Sequence, residues 1–238
     1  MKSLLIKNAR IPVLLFIAFL FSCNKDRDHS PIIEKEFAIA GVNKVYAMNG
    51  FNVIITKGDA FSFKAQGPST FVNDIDLKIS NRILDIQFLH NWNNRPQINI
   101  SITLPVLTQI NLGAAGNCIV HGFEEQDVIM RAVLSAGSKC SFNGAAINVA
   151  VDIAGGSQLD VSGSTLSLYG SVSGGGKLNA FSCVATEVDI DVSGGSEAKV
   201  NVQEKLFASA SGGSRIYYKG QPVHKSIDTS GGGQVIQE

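Results

Sequence analysis

The chain has 238 residues, its 20 Lys and Arg balance 20 Asp and Glu, and only 17% of it is charged. That balance excludes the basic footprint of a nucleic-acid-binding protein. Hydrophobic residues make up 45% beside 24 Gly, a mixture that suits short strands and tight turns and argues against a helical bundle.

Lys2, Lys7 and Arg10 precede an apolar run from Ile11 to Phe21. A basic region followed by roughly ten apolar residues is the layout of an export signal, too short to span a bilayer as a mature helix. The run ends in Leu20-Phe21-Ser22-Cys23, which resembles the lipobox of bacterial lipoproteins. The resemblance implies lipidation of Cys23 and loss of residues 1–22, leaving 17 basic against 20 acidic residues. Several acyl chains at one site give stable anchoring to a membrane. Asn24-Lys25-Asp26-Arg27-Asp28 resembles a signal for export to the outer face in some Gram-negative bacteria. The expected location is therefore the cell envelope, as a surface-exposed outer-membrane lipoprotein. Residues 23–36 carry charge and little apolar pattern and are expected to be the lipidated Cys and a flexible linker.

From 37 to 112 the chain is strand-like but irregular. Val45 to Thr56, Phe61 to Ala65, Leu77 to Ile79, Ile83 to Phe88 and Ile98 to Leu104 alternate or run apolar. This part is expected to cover the N-terminal end of the repeating half of the chain, as antiparallel strands or irregular coils. Within it, His90, Trp92 and Arg95 sit in a polar stretch between two strands. An exposed indole there would stack on a sugar ring or a partner surface; alternatively Trp92 folds back to cap the core.

Residues 113–238 repeat. Glycines or their equivalents recur at 137, 156, 175, 195, 213 and 232, in steps of 19, 19, 20, 18 and 19, with Ala114-Ala115-Gly116-Asn117 as a degenerate earlier copy. Apolar residues alternate on both sides of each turn, as in Val149, Val151 and Ile153 before it and Leu159 and Val161 after it. No 19-residue unit buries its own apolar face, but stacked units do, at about 4.8 Å per coil. The spacing predicts an all-β, single-stranded β-helix or solenoid, continuous with the part before it. Ser135, Ser173, Ser193, Ser211 and Ser230 would stack beside the glycines, as a polar strip or as hydroxyls satisfying corner backbone.

Cys118 and Cys140 fall at equivalent inward positions of neighbouring coils, where they would either form a disulfide or fill the core as thiols. Asp152, Asp191 and Asp228 share an outward column with Ser171 and Ser209 between them. Acids two coils apart are too sparse for a Ca²⁺ site, which needs six or more oxygens. No His stands at zinc spacing from the cysteines, and His121 and His224 have no Ser or Asp partner at interpretable spacing. Neither a metal, a cofactor nor a catalytic residue is expected.

Residues 37–236 resemble the family labelled "putative auto-transporter adhesin, head GIN domain". The carriers are the strand pair Tyr46-Ala47-Met48-Asn49-Gly50-Phe51-Asn52-Val53-Ile54-Ile55, the strand Ile98 to Pro105, the Ser-Gly turns, Tyr218-Lys219-Gly220-Gln221-Pro222 and Gly231-Gly232-Gly233. Gly50-Phe51-Asn52 has Phe where the family name has Ile. The resemblance implies a right-handed β-helix and a surface location, and no activity. No C-terminal run of membrane strands stands ready to form a translocator barrel. The expected function is a non-enzymatic surface binding module or adhesin with a glycan or protein ligand. The alternatives are a structural envelope lipoprotein and a polysaccharide-active β-helix enzyme.

Overall fold

The computed structural model describes residues 30–92, 95–124 and 128–238. Cys23, the expected signal segment 1–22 and the start of the expected linker lie outside them. Among the described residues no helix is long and apolar enough to cross a membrane.

Seven four-residue turns, at 113–116, 135–138, 154–157, 173–176, 193–196, 211–214 and 230–233, organise the regular part. Both central residues of each have φ between 50° and 81°, the φ pattern of a type I′ turn. In six of them the N–H of the fourth residue donates to the carbonyl of the first. In the remaining one the Ser196 hydroxyl donates to the Ser193 carbonyl at 2.6 Å. The turns also bond to one another: Gly156 N–H donates to Gly174 O at 3.0 Å and Gly195 N–H to Gly212 O at 3.0 Å. Stacking is thus continuous through the corners.

The strand before each turn belongs to one parallel ladder, the first flank. It comprises β8 (Gln109–Leu112), β10 (Ile129–Leu134), the second halves of β11 (Lys139–Ile153), β12 (Gln158–Val172), β13 (Lys177–Val192) and β14 (Glu197–Ala210), and β16 (His224–Thr229). The strand after each turn belongs to the second flank: β9 (Asn117–Phe123), the first halves of β11 to β14, β15 (Arg215–Lys219) and β17 (Gln234–Gln237). Inward residues from both flanks meet in one core. Val149, Leu168, Val188 and Leu206 form one buried column, and Leu159, Leu178, Ala198 and Ile216 another. Full burial of each large aliphatic side chain contributes about 1.5–3 kcal/mol. Lys225 takes the inward place that Leu206 holds one rung earlier, and an inward charge on an edge strand deters edge-to-edge pairing.

The part from 32 to 104 is more regular than the sequence suggests. β2 (Lys44–Ala47), β3 (Asn52–Lys57), β6 (Ile83–Phe88) and β7 (Asn99–Leu104) are parallel rungs of the same two flanks. Their order departs from the chain. β2 lies between β6 and β8, and β3 between β7 and β9, so the first coil is sandwiched by two later ones. Only β1 (Ile32–Phe37), β4 (Ser62–Pro68) and β5 (Ile75–Ser80) run antiparallel, and they close the end with the short helix α1 (Ser69–Asn73). β1 corrects the expected linker, which would have run through residue 36. Its alternation turns Ile33 and Phe37 inward, and Phe37 meets the Phe63 ring edge-on at 5.4 Å.

A second correction concerns the turn serines. Hydroxyls do satisfy corner backbone, but they belong to the fourth residue of the turn. Ser138, Ser157, Ser196 and Ser214 are buried; Ser138 donates to Leu112 O at 3.2 Å and Ser214 to Val192 O at 2.7 Å. The left-handed pair before them turns this position into the core, whereas Ser135, Ser173, Ser193 and Ser211 are only half-buried.

Candidate functional site

On the first flank the outward columns follow the register. Val133, Asp152, Ser171, Asp191, Ser209 and Asp228 stack in one column, so the acids identified in the sequence do share a line. In the neighbouring column Arg131, Ala150, Tyr169, Asp189, Phe207 and Ser226 stack. Ala150 is the small member, and it opens a slot one rung wide with Arg131 and Tyr169 as walls. The cavity measures about 370 Å³ and is edged by Asp152, Ser171, Asp189 and Asp191. Arg131 Nη2 lies 3.9 Å from Asp152 Oδ2, and Ser171 Oγ donates to Asp152 Oδ1 at 3.5 Å.

This slot offers an aromatic wall, a cation, several carboxylates and a hydroxyl, all open to solvent. Such a set can stack on and hydrogen-bond a planar or ring-shaped group. Across the regular coils, outward acids Asp152, Glu187, Asp189, Asp191 and Asp228 outnumber the bases Arg131 and Lys205, and Lys205 is ion-paired with Glu187.

The second flank has the opposite balance. Asn99, Asn52 and Asn117 form an amide ladder, with Asn52 Nδ2 donating to Asn99 Oδ1 at 3.1 Å and Asn117 Nδ2 to Asn52 Oδ1 at 3.0 Å. Lys139, Gln158, Lys177, Glu197, Arg215 and Gln234 continue the column. The flank's two acids are occupied. Asp160 accepts from Gln158 Nε2 at 2.9 Å and from Asn179 Nδ2 at 3.1 Å, while Glu197 pairs with Lys199 at 3.3 Å.

His90 and Trp92 meet around Asp74 on the N-terminal cap, and Arg95 lies over the Phe88 ring. Trp92 Nε1 donates to Asp74 Oδ2 at 2.6 Å, and its ring meets Phe71 edge-on at 5.0 Å, so the indole caps the core. His90 Nδ1 lies 2.5 Å from Asp74 Oδ1. The Arg95 guanidinium sits 4.8 Å over the Phe88 ring, which stacks on Phe51 at 4.9 Å. Burial pushes the Asp74 carboxyl up, but the bonds from the His90 ring, Trp92 and the His90 backbone outweigh it and hold the group below the usual carboxylate range.

Cys118 and Cys140 are direct neighbours on adjacent rungs, both buried and both free thiols. In-register parallel strands hold side chains about 4.8 Å apart, wider than the roughly 3.8 Å between Cβ atoms that a disulfide takes. The hydrogen bond to Cys140, together with burial, pushes the Cys118 thiol well above its ordinary range. Among the described residues no group of three or more His, Cys, Asp or Glu is arranged to hold a metal ion.

Arg131, Tyr169 and Asp189, and Lys139, Lys177 and Arg215 on the other flank, were not singled out from the sequence. The 19-residue step that aligns the turns would have found them, by placing Ala150 between Arg131 and Tyr169.

The family model described as "Putative auto-transporter adhesin, head GIN domain" matches residues 42–222. Among solved structures, a protein described as a "putative adhesin" from Bacteroides fragilis NCTC 9343 superposes with a TM-score of 0.73 at 21% identity, covering 87% of this chain and 97% of that one. A "putative lipid binding protein" from Parabacteroides distasonis ATCC 8503 gives 0.69 at 17% identity, covering 89% and 98%. A "putative adhesin" from the same strain gives 0.68 at 16% identity, covering 88% and 98%. At these identities the likeness shows the fold. No curated protein matches the chain.

Proposed function

The chain belongs to the "putative auto-transporter adhesin, head GIN domain" family, and from that premise we propose that it is a non-enzymatic binding module of the cell surface, held at the envelope by lipidation of Cys23. The observation that carries the reading is the slot over Ala150. Its walls are set by backbone register and not by loops, so Arg131 and Tyr169 are presented without a backbone ordering cost on binding. A sugar ring or a flat side chain of a protein ligand would lie against Tyr169, with Asp152, Asp191 and Ser171 accepting or donating hydrogen bonds along its edge. The open geometry suits recognition, because an aromatic face and several hydrogen-bonding groups line one solvent-open wall.

The test is an array of glycans and matrix proteins probed with the purified chain, its Tyr169→Ala variant and its Asp191→Asn variant. Binding to at least one ligand, weakened by both substitutions, is expected. Cleavage of a polyuronide by the wild-type chain would overturn the non-enzymatic reading, and a hit list identical for all three would remove the slot from it. Surface placement is checked by protease shaving of intact cells, which should digest the protein.

A further inference from the structure

Lys139, Lys177 and Arg215 stand on alternate rungs of one outward column of the second flank. Neighbouring members are therefore two strand spacings apart, roughly 9.6 Å. Register is unbroken where the column crosses these strands: Lys139 pairs with Gln158, Gln158 with Lys177, Lys177 with Glu197, and Glu197 with Arg215. The three charges thus lie on one line parallel to the solenoid axis.

None of the three has an ion-pair partner among the described residues. The acids that could have neutralised them are committed elsewhere, Asp160 to two amides and Glu197 to Lys199. Gln234 extends the row with an uncharged amide. From this arrangement we propose that the second flank is a docking track for a linear anionic polysaccharide, with Lys139, Lys177 and Arg215 as its charged contacts. The site is separate from the slot on the first flank and does not depend on it.

Charge complementarity selects an anion, and Arg215 adds a planar fork that meets a carboxylate or sulfate with two parallel bonds. The one-residue width of the row selects a linear polymer. An anionic bilayer is served best by cations spread over a plane, yet the adjoining column reads Ser141, Asp160, Asn179, Lys199 and Tyr217, and its one cation is paired with Glu197. Those groups, with Gln158, are sized to bond sugar hydroxyls beside the charged line. Because the cations are exposed, the attraction is long-range and screened by salt.

The experiment measures binding of the purified chain to polygalacturonate, to chondroitin sulfate, to neutral dextran, and to phosphatidylglycerol vesicles, at low and at physiological ionic strength. Two variants are compared: Lys139→Glu/Lys177→Glu/Arg215→Glu, and Lys44→Glu/Lys78→Glu/Lys205→Glu as a control with the same charge change elsewhere. Circular dichroism establishes that each is folded, and Lys139→Gln/Lys177→Gln substitutes if the first triple variant is not. Salt-sensitive binding to an acidic polysaccharide, weakened at least about tenfold in the first variant and little in the control, is expected. Equal loss in both variants, binding to vesicles alone, or no binding to either acidic polysaccharide at low salt would each overturn the proposal. None of these outcomes bears on Tyr169 or Asp191, so the slot is judged apart.

Discussion

The Asp74 carboxylate accepts the Trp92 indole N–H at 2.6 Å, so the sole tryptophan is fixed to the N-terminal cap by a buried acid. Replacing Asp74 by Ala strands that donor and the His90 backbone N–H, at a cost of about 1–3 kcal/mol. The red shift of Trp92 emission should then precede global melting, and coincident transitions would argue against a separable cap.

The same carboxylate has a pH signature. Its folded-state pKa lies below the ordinary 3.8, so the stability it contributes is fully present above that value and is lost as pH falls through the folded pKa. The melting temperature of the wild type should therefore fall more steeply below about pH 4 than that of Asp74→Asn. Parallel curves for the two proteins would sink this assignment.

Turn chemistry offers paired substitutions of opposite sign. Ala136 holds φ at 52°, where glycines stand in later copies, and Ala136→Gly should stabilise by up to about 1 kcal/mol. At Gly163 an added Cβ would lie 1.9 Å from the Gly144 carbonyl oxygen, so the ladder must open. Gly163→Ala should cost about 3 kcal/mol or more by denaturant titration.

The buried turn hydroxyls can be separated from the half-buried ones in the same way. Ser214→Ala removes the donor to Val192 O and should cost about 1 kcal/mol. Ser211→Ala should stay within about 0.5 kcal/mol, and the reverse ranking would restore the first serine of the turn as the structural one.

Cys118, Cys140 and Cys183 are buried thiols, and burial pushes Cys183 up to about 11. Alkylation under native conditions should leave all three unmodified, and denaturation without reductant should release all three. Mass spectrometry reads the outcome; a Cys118–Cys140 pair that alkylates only after reduction would contradict the free-thiol state.

Much of the fold is legible along the chain because the step between glycine pairs becomes the rung offset itself. Lys139 pairs with Gln158, and Gln158 with Lys177. The same arithmetic places Asp152, Ser171 and Asp191 in one column. Stack order in the first hundred residues is not legible, since Ile83 to Phe88 alternates identically wherever it pairs. Only three-dimensional pairing puts it outside Lys44 to Ala47. Capping of the core by Trp92 is one of the two readings the sequence offers, but its partner Asp74 is not legible, lying 16 and 18 residues from His90 and Trp92 at no periodic spacing. The slot over Ala150 is legible by the same arithmetic, which lines up Arg131, Ala150 and Tyr169 at 19-residue steps.

The sandwiched first coil gives the molecule a direction of growth. A duplicated unit inserted between two regular coils lengthens both ladders by one rung, about 4.8 Å, and replaces only the pairing between those two coils, with equivalent ones on either side. Trimming from the other side is different: without β2 and β3 the rungs β6 and β8 lose the strand that both pair with, and the stack parts in its middle. Such a molecule can be made longer or shorter as a spacer only through its later coils, while its first coil serves as the keystone that later segments close around.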